Sequence, residues 1–105
     1  MTTVRFYKSD NAICGFNIIG HSSESCSDFN GKLVCAAVSS AAYMTVNTLT
    51  EVIGAKVSAK ISEAQMKVLL ISGIEKSQPI LKGFRIHIEQ LSQQYESNLK
   101  IISEV

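Results

Sequence analysis

The sequence predicts an α+β fold: a mainly antiparallel sheet of four to five strands with two helices, in the order β-β-α-β-β-α and a short final strand. Alternation of apolar and polar residues over 3–7 and 55–62 is typical of strands with one wet face. Apolar residues at helical spacing over 34–52 and 81–95 indicate two helices. A turn signal at 9–11 separates two strands and predicts a hairpin.

Composition limits the class of protein. A length of 105 residues predicts one domain over 1–105, and 46% hydrophobic residues argue against disorder. The net charge is +1 and no basic stripe runs along the sequence, so nothing favours a nucleic-acid partner. The apolar runs are too short to span a bilayer, and the first residues do not form a secretory signal. We therefore expect a cytoplasmic protein that contacts neither nucleic acid nor membrane directly.

The cysteines are Cys14, Cys26 and Cys35. Their odd number and the absence of a Cys-x-x-Cys pair do not favour a disulfide framework in a reducing compartment. Neither histidine has a second ligand at metal-binding spacing, so we expect no metal and no other cofactor.

The first half of the chain begins with a predicted strand at Thr3–Tyr7 and a second at 12–19. Gly15, inside the second strand, predicts a bulge or a close backbone approach. Gly20 ends this strand and places His21 at its tip.

Small and polar residues over 22–32 predict a loop, which we expect to be the least ordered internal segment. A plain solvent-exposed connection is the alternative interpretation. The loop consists of Ser22, Ser23, Glu24, Ser25, Cys26, Ser27, Asp28, Phe29, Asn30, Gly31 and Lys32.

An alanine-rich helix follows, with Asn30 or Gly31 as its predicted N-cap and Gly54 at its end. Cys35 is predicted near the end of its first turn, where the helix dipole favours a thiolate modestly.

The second half of the chain again predicts a hairpin followed by a helix. A strand over 55–62, with Ala55, Val57, Ala59 and Ile61 on one face, and another over 66–71 predict a second hairpin. Ser77 is the predicted cap of a second helix, with Pro79 in its first turn. Its apolar stripe comprises Leu81, Phe84, Ile88, Leu91 and Tyr95, and Leu99–Ile102 predicts a short final strand.

His21 and Cys35 are the candidates for chemistry, because a histidine at a strand end and a cysteine at a helix start suit a base and a thiol nucleophile. Each has a plainer interpretation: His21 as a surface residue and Cys35 as a small buried apolar group. His87 lies mid-helix, which favours a structural or surface role. Ser39 lies one turn after Cys35 and either orients a partner or bonds to its own helix.

Gly20-His21, the polar loop and the run Val34-Cys35-Ala36-Ala37-Val38-Ser39 resemble the ribosomal-processing cysteine protease family, Prp, over the whole chain. The resemblance implies a dimeric bacterial α+β protease that removes the N-terminal extension of ribosomal protein twenty-seven of the large subunit. It implies His21 as the catalytic histidine, Cys35 as the nucleophile, Ser39 as the helix serine and the loop as the segment that moves for substrate. Lys32 stands where the family usually has an acid, and Asp28 is the nearest acid that could replace it.

Two other functions remain open from the sequence. One is a non-catalytic dimeric binding module associated with the ribosome, on the same fold. The other is a redox thiol protein that uses Cys26 and Cys35.

Overall fold

The computed structural model describes residues 1–20 and 29–104. Its helices and strands are β1 (Thr2–Ser9), β2 (Ala12–Ile19), α1 (Phe29–Asn47), β3 (Val57–Ile61), β4 (Gln65–Leu70), α2 (Ile74–Gln94) and β5 (Leu99–Glu104). The strands form one sheet in the order β3-β4-β2-β1-β5. The described neighbours pair antiparallel except β1 and β5, which are parallel. The predicted fold class and element order are confirmed, and the final strand is the fifth of the sheet.

The core lies between one face of the sheet and the two helices. Phe6 of β1 and Phe16 of β2 are buried against Phe84 of α2, with ring centroids 5.8 Å and 4.7 Å from that of Phe84. The predicted stripe of α2 is confirmed, because Leu81, Phe84 and Ile88 are buried. The opposite face of the sheet, which carries the alternate residues of each strand, is turned away from the helices.

Turn and glycine chemistry shape the first hairpin as the sequence predicts. Asp10 and Asn11 have φ of 51° and 64°, the positive values that a tight two-residue hairpin turn needs. The pairing of β1 with β2 shifts register at Tyr7/Lys8, opposite Gly15, which is the signature of a bulge. A Cβ on Gly15 would lie 2.4 Å from the backbone oxygen of Val68, so both predictions for Gly15 are confirmed.

Helix α1 begins earlier than predicted. It starts at Phe29, so neither Asn30 nor Gly31 is its cap, and the last four residues of the predicted loop, 29–32, belong to its first turn. Polar residues can form this turn because it does not pack against the core, so their composition predicts a loop where the chain is helical. Phe29 is 75% exposed, and Asn30 and Lys32 are exposed too.

The C-terminal part of the helix is π-helical over Thr48–Ile53 and ends at Gly54, which has φ of 79°. The hydroxyls of Thr45, Thr48 and Thr50 each donate a hydrogen bond to the carbonyl four residues earlier. Such bonds compete with the regular ladder and accompany bends and loosened turns. The predicted end at Gly54 is confirmed.

The helical segment Phe29–Ile53 is, by length and composition alone, apolar enough to cross a membrane. From the sequence, the apolar runs are too short to span a bilayer, because serine and threonine interrupt them. The mean hydropathy of the whole helix is nevertheless high, because alanine and valine lie between these residues. The core helix of a soluble protein passes the same test, and Val34, Val38 and Ala42 of this segment lie in the core.

Two details of the second half differ from prediction. β3 is an edge strand, so Ala59 and Ile61 of its predicted inward face are exposed, and Ala55 precedes the strand. Helix α2 begins at Ile74 after Gly73, whose φ is 73°, so Ser77 is not the cap. The Ser77 hydroxyl instead donates to the Gly73 carbonyl at 2.6 Å inside the first turn.

Candidate active site

Cys35 lies on the side of α1 that faces the sheet. Its neighbours Val34 and Val38 belong to the core, and Cys35 is 7% exposed. Because α1 begins at Phe29, Cys35 lies in the second turn of the helix and not at the end of the first, as predicted. The field of the helix dipole weakens beyond the first turn, so it contributes little to a thiolate here.

Thr2 is a described side chain that contacts the Cys35 sulfur, with its Oγ1 3.5 Å from Sγ. Thr2 is buried, and its backbone N–H donates to the Asn98 carbonyl at 2.9 Å, which fixes the start of β1. When Cys35 carries no proton, the Thr2 hydroxyl is necessarily the donor of this hydrogen bond. No sequence signal marks Thr2, since a threonine at the start of a strand is common.

The end of β2 lies beside the same end of β1. Thr3 pairs with Ile19, and Gly20 donates its N–H to the Ala64 carbonyl at 2.9 Å. Gly20 has φ of 79°, and a Cβ there would lie 2.7 Å from the Met1 carbonyl oxygen. Gly20 therefore lies at a fixed position next to the start of β1. The start of β1 also contacts Cys35, through Thr2.

His21, which follows Gly20, lies outside the described residues, as do Asp28 and the loop residues Ser22, Ser23, Glu24, Ser25, Cys26 and Ser27. The predicted mobility of the loop stays a prediction for the same reason. Among the other candidates, Ser39 is half-buried one turn after Cys35, and Lys32 lies one turn before it on the first turn of the helix. The structure thus brings Cys35 to the strand end from which His21 follows.

A family model described as cysteine protease Prp matches residues 1–100. The chain belongs to the Prp family of cysteine proteases. The resemblance seen in the sequence is confirmed, and the enzyme class follows from it.

Solved structures show the same fold. SMU.848 from Streptococcus mutans is 24% identical, with 99% of this chain and 96% of that chain covered and a TM-score of 0.86. The essential ribosomal processing protease Prp from S. aureus, in complex with a substrate peptide, is 15% identical, covers 99% and 100%, and gives a TM-score of 0.90. The S. aureus protease with a covalently linked product peptide is 17% identical, covers 99% and 100%, and gives 0.83. A search of curated proteins finds no match.

In this Prp-family protein Cys35 is disulfide-bonded. Cys14, on β2, is a half-buried free thiol. The cysteine count and spacing do not favour a disulfide framework, and the bond at Cys35 differs from that expectation. The nucleophilic form of cysteine is the thiolate, and a sulfur in a disulfide is not a thiolate. The Cys35 disulfide must therefore be reduced before this sulfur can attack a substrate.

His87, the other histidine, faces a different part of the molecule. It is exposed on α2 and lines a groove of about 660 Å³ between the two helices, together with Ala37, Ala41, Met44 and Phe84. Cys35 is not among the residues that line this groove, and a structural or surface role for His87 stays a prediction.

Proposed function

We propose that this Prp-family protease removes the N-terminal extension of ribosomal protein twenty-seven of the large subunit, in the cytoplasm, during ribosome maturation. Cys35 is the proposed nucleophile and His21 the proposed base. The observation that carries the assignment is the meeting of Cys35 with the start of β1, beside the strand end that leads into His21. The S. aureus relative, described as a ribosomal processing protease bound to a substrate peptide, supports the substrate class.

In the proposed reaction, neutral His21 takes the proton from the Cys35 thiol. The thiolate attacks the scissile carbonyl carbon, and its electron pair forms a C–S bond while the carbonyl oxygen becomes an oxyanion. The oxyanion collapses, the C–N bond breaks, and protonated His21 gives its proton to the leaving amine. Water then attacks the thioester with His21 as base, which releases the acid and returns Cys35 as a thiol.

The first turn of α1 is the proposed source of oxyanion stabilisation. Backbone N–H groups point outward at the start of a helix, and donors of this kind stabilise a developing negative charge. These groups belong to the turn that starts at Phe29, directly before Cys35 along the helix.

Supporting roles are proposed for three polar residues. Ser39 lies on the same side of α1 as Cys35, one turn later, where its hydroxyl orients the substrate or the histidine. Lys32 lies one turn earlier on the exposed start of the helix, so its charge favours the Cys35 thiolate only modestly. Lys32 is a cation and cannot accept a hydrogen bond from His21, so Asp28 is the carboxylate proposed to orient this histidine.

The proposed active form is a homodimer. Helix α1 is exposed at Leu33, Tyr43 and Met44. Exposed apolar side chains of this kind are typical of a face that packs against a second chain. Light scattering at tens of micromolar protein that gives the monomer mass contradicts the dimer.

The disulfide at Cys35 favours a second candidate function, a redox thiol protein. The sequence suggests Cys26 as the partner, and Cys26 lies outside the described residues. Mass spectrometry after oxidation and after reduction shows whether the bond cycles. A Cys26→Ser variant that keeps full proteolysis after reduction separates a redox function from the protease function.

The direct test is cleavage of the ribosomal protein from the same genome. The reduced protein is incubated with it, and mass spectrometry gives the new N-terminus. A single cut that removes the extension supports the proposal. An intact substrate, together with tight binding of it by the reduced protein, favours instead the non-catalytic ribosome-associated binding module.

A further inference from the structure

The face of the sheet that is turned away from the helices carries a row of basic and amide side chains. Strand pairing places Lys60 opposite Lys67, Lys67 beside Asn17, and Asn17 beside Arg5. Ile102 of β5 continues the row beside Arg5. We call this side of the sheet the open face. Its row crosses the sheet at right angles to the strands, which lie roughly 4.8 Å apart.

Two further rows flank the first. One contains Tyr7, with Gly15 and Leu69 as its neighbours across β2 and β4, and Ser58 on β3. The other contains Ile19 between Thr3 and Gln65, and Lys100 beside Thr3 on β5. The open face therefore combines four basic residues with one aromatic ring. In the register of the parallel pair, position 104 of β5 lies beside Tyr7.

The lysine pair is unfavourable for folding. Like charges directly opposite each other on neighbouring strands destabilise a sheet. The described ion pair, Arg85 with Glu89, lies on α2 and does not relieve the repulsion between Lys60 and Lys67. A cost of this kind is offset when an anionic partner covers the face.

The centre of the open face is held in place. Asn17 is 6% exposed, accepts a hydrogen bond from Gln65 Nε2 at 3.1 Å, and donates from Nδ2 to the Tyr7 hydroxyl at 3.5 Å. The Lys67 Nζ lies 5.7 Å from the centre of the Tyr7 ring. An ordered ring, amides and an adjacent cation thus share one flat surface.

We infer that the open face binds single-stranded RNA. Lysine side chains neutralise phosphates and release counterions, which supplies most of the affinity of such complexes. An aromatic ring on a sheet surface stacks on an unpaired base, and amides bond to base edges. Lys60, Lys67 and Lys100 supply the first element, Tyr7 the second, and the exposed amide of Gln65 the third.

A second copy of this chain fits the open face less well. A two-fold dimer brings the same surface of both subunits together, so two faces rich in basic residues would meet. The exposed apolar side chains of α1 lie on the other side of the sheet. Phosphate is the chemistry that matches the charge of the open face.

The order of residues along the chain does not predict this basic surface. Its basic residues come from β1, β3, β4 and β5, so no basic stripe forms along the chain, and the sequence-based expectation excluded nucleic acid. The proposal is independent of the protease chemistry, because Cys35 lies on the helix-covered side of the sheet.

Fluorescence anisotropy with a labelled oligouridine tests the inference, using the reduced full chain. Binding should weaken steeply between about 50 and 200 mM salt. The double variant Lys60→Gln/Lys67→Gln should bind at least fivefold more weakly, and its slope of log affinity against log salt should fall by about 1.4, or ~0.7 for each lysine. Tyr7→Leu should weaken binding with little change in that slope, since stacking is not ionic.

Lys76→Gln/Lys82→Gln is the matched control, because it removes the same charge from two exposed positions of α2. It should bind like the unmodified protein. Equal loss in this control, or no binding of the oligouridine at about 50 mM salt, overturns the inference. Binding to phosphatidylserine vesicles but not to RNA overturns it as well and assigns the face to a membrane surface. Circular dichroism confirms that every variant is folded.

Discussion

The Thr2 hydroxyl lies 3.5 Å from the sulfur of Cys35, 33 residues away in sequence. This contact joins the first residue of β1 to the second turn of α1. Thr2 pairs in register with Leu99 of β5, and Thr3 pairs with Ile19 of β2. The position of the proposed nucleophile therefore depends on the two strands that flank β1 as well as on its own helix.

Thr2→Val should lower kcat/KM of the reduced enzyme about tenfold, equal to about 1.4 kcal/mol, because the thiolate loses a hydrogen-bond donor. Valine matches threonine in shape, so folding stability should change little. The rate of Cys35 alkylation against pH should move toward higher pH in this variant. Thr2→Ser keeps the hydroxyl and serves as the control. If Thr2→Val cleaves and alkylates like the unmodified protein, the contact has no role in catalysis.

Proteolysis should require a reductant. Cys35 is disulfide-bonded, and only its reduced sulfur attacks a carbonyl. We expect little cleavage from protein kept under oxidant, and full cleavage after dithiothreitol breaks the bond by thiol–disulfide exchange. Mass spectrometry of the same samples follows the state of Cys35. Equal activity of the oxidised and reduced samples contradicts this expectation.

Phe84 anchors α2 to the sheet through Phe6 and Phe16. Phe84→Ala should destabilise the protein by about 3–5 kcal/mol, as expected when a buried ring leaves a cavity. Urea unfolding at fixed protein concentration measures the change. Ile86→Ala, at an exposed position of the same helix, should cost far less. A similar loss in both variants contradicts the packing of Phe84 as the cause, since alanine itself favours a helix.

Local signals in the sequence predict the structure well where one residue type fixes the backbone. Asp10-Asn11 predicts the tight turn, Gly15 the bulge and close approach, and Gly54 the end of the first helix. The buried apolar stripe of α2 follows from the spacing of its apolar residues at three and four positions. In each case the information lies within a few residues of chain, so no tertiary contact is needed to interpret it.

Features set by tertiary contacts could not be predicted. The parallel pairing of β5 with β1 and the edge position of β3 depend on how distant strands associate. Helix α1 begins at the exposed Phe29, where no apolar period marks a start. Thr2 is a site residue only through its contact with Cys35.

Gln78 links α2 to β2. Its side-chain Oε1 accepts from the Ile13 N–H at 2.8 Å, and its Nε2 donates to the Ile13 carbonyl at 2.9 Å. Gln78→Leu should cost about 2 kcal/mol, because two partly buried backbone groups lose their partners. Gln90→Leu, at an exposed position of α2, is the control. Denaturant unfolding that shows no difference between the two variants contradicts a structural role for this link.

The last prediction concerns the nucleophile. Cys35→Ala and Cys35→Ser should both fold, since each residue suits a helix and neither overfills the site. Both should lose almost all turnover, because a serine here lacks the activation that a hydroxyl nucleophile needs. Cys14→Ser and Cys26→Ser should keep most activity under reducing conditions. His21→Ala should lose activity and slow the alkylation of Cys35 by iodoacetamide near pH 7. Processing of the ribosomal substrate by Cys35→Ala at the unmodified rate removes Cys35 as the nucleophile.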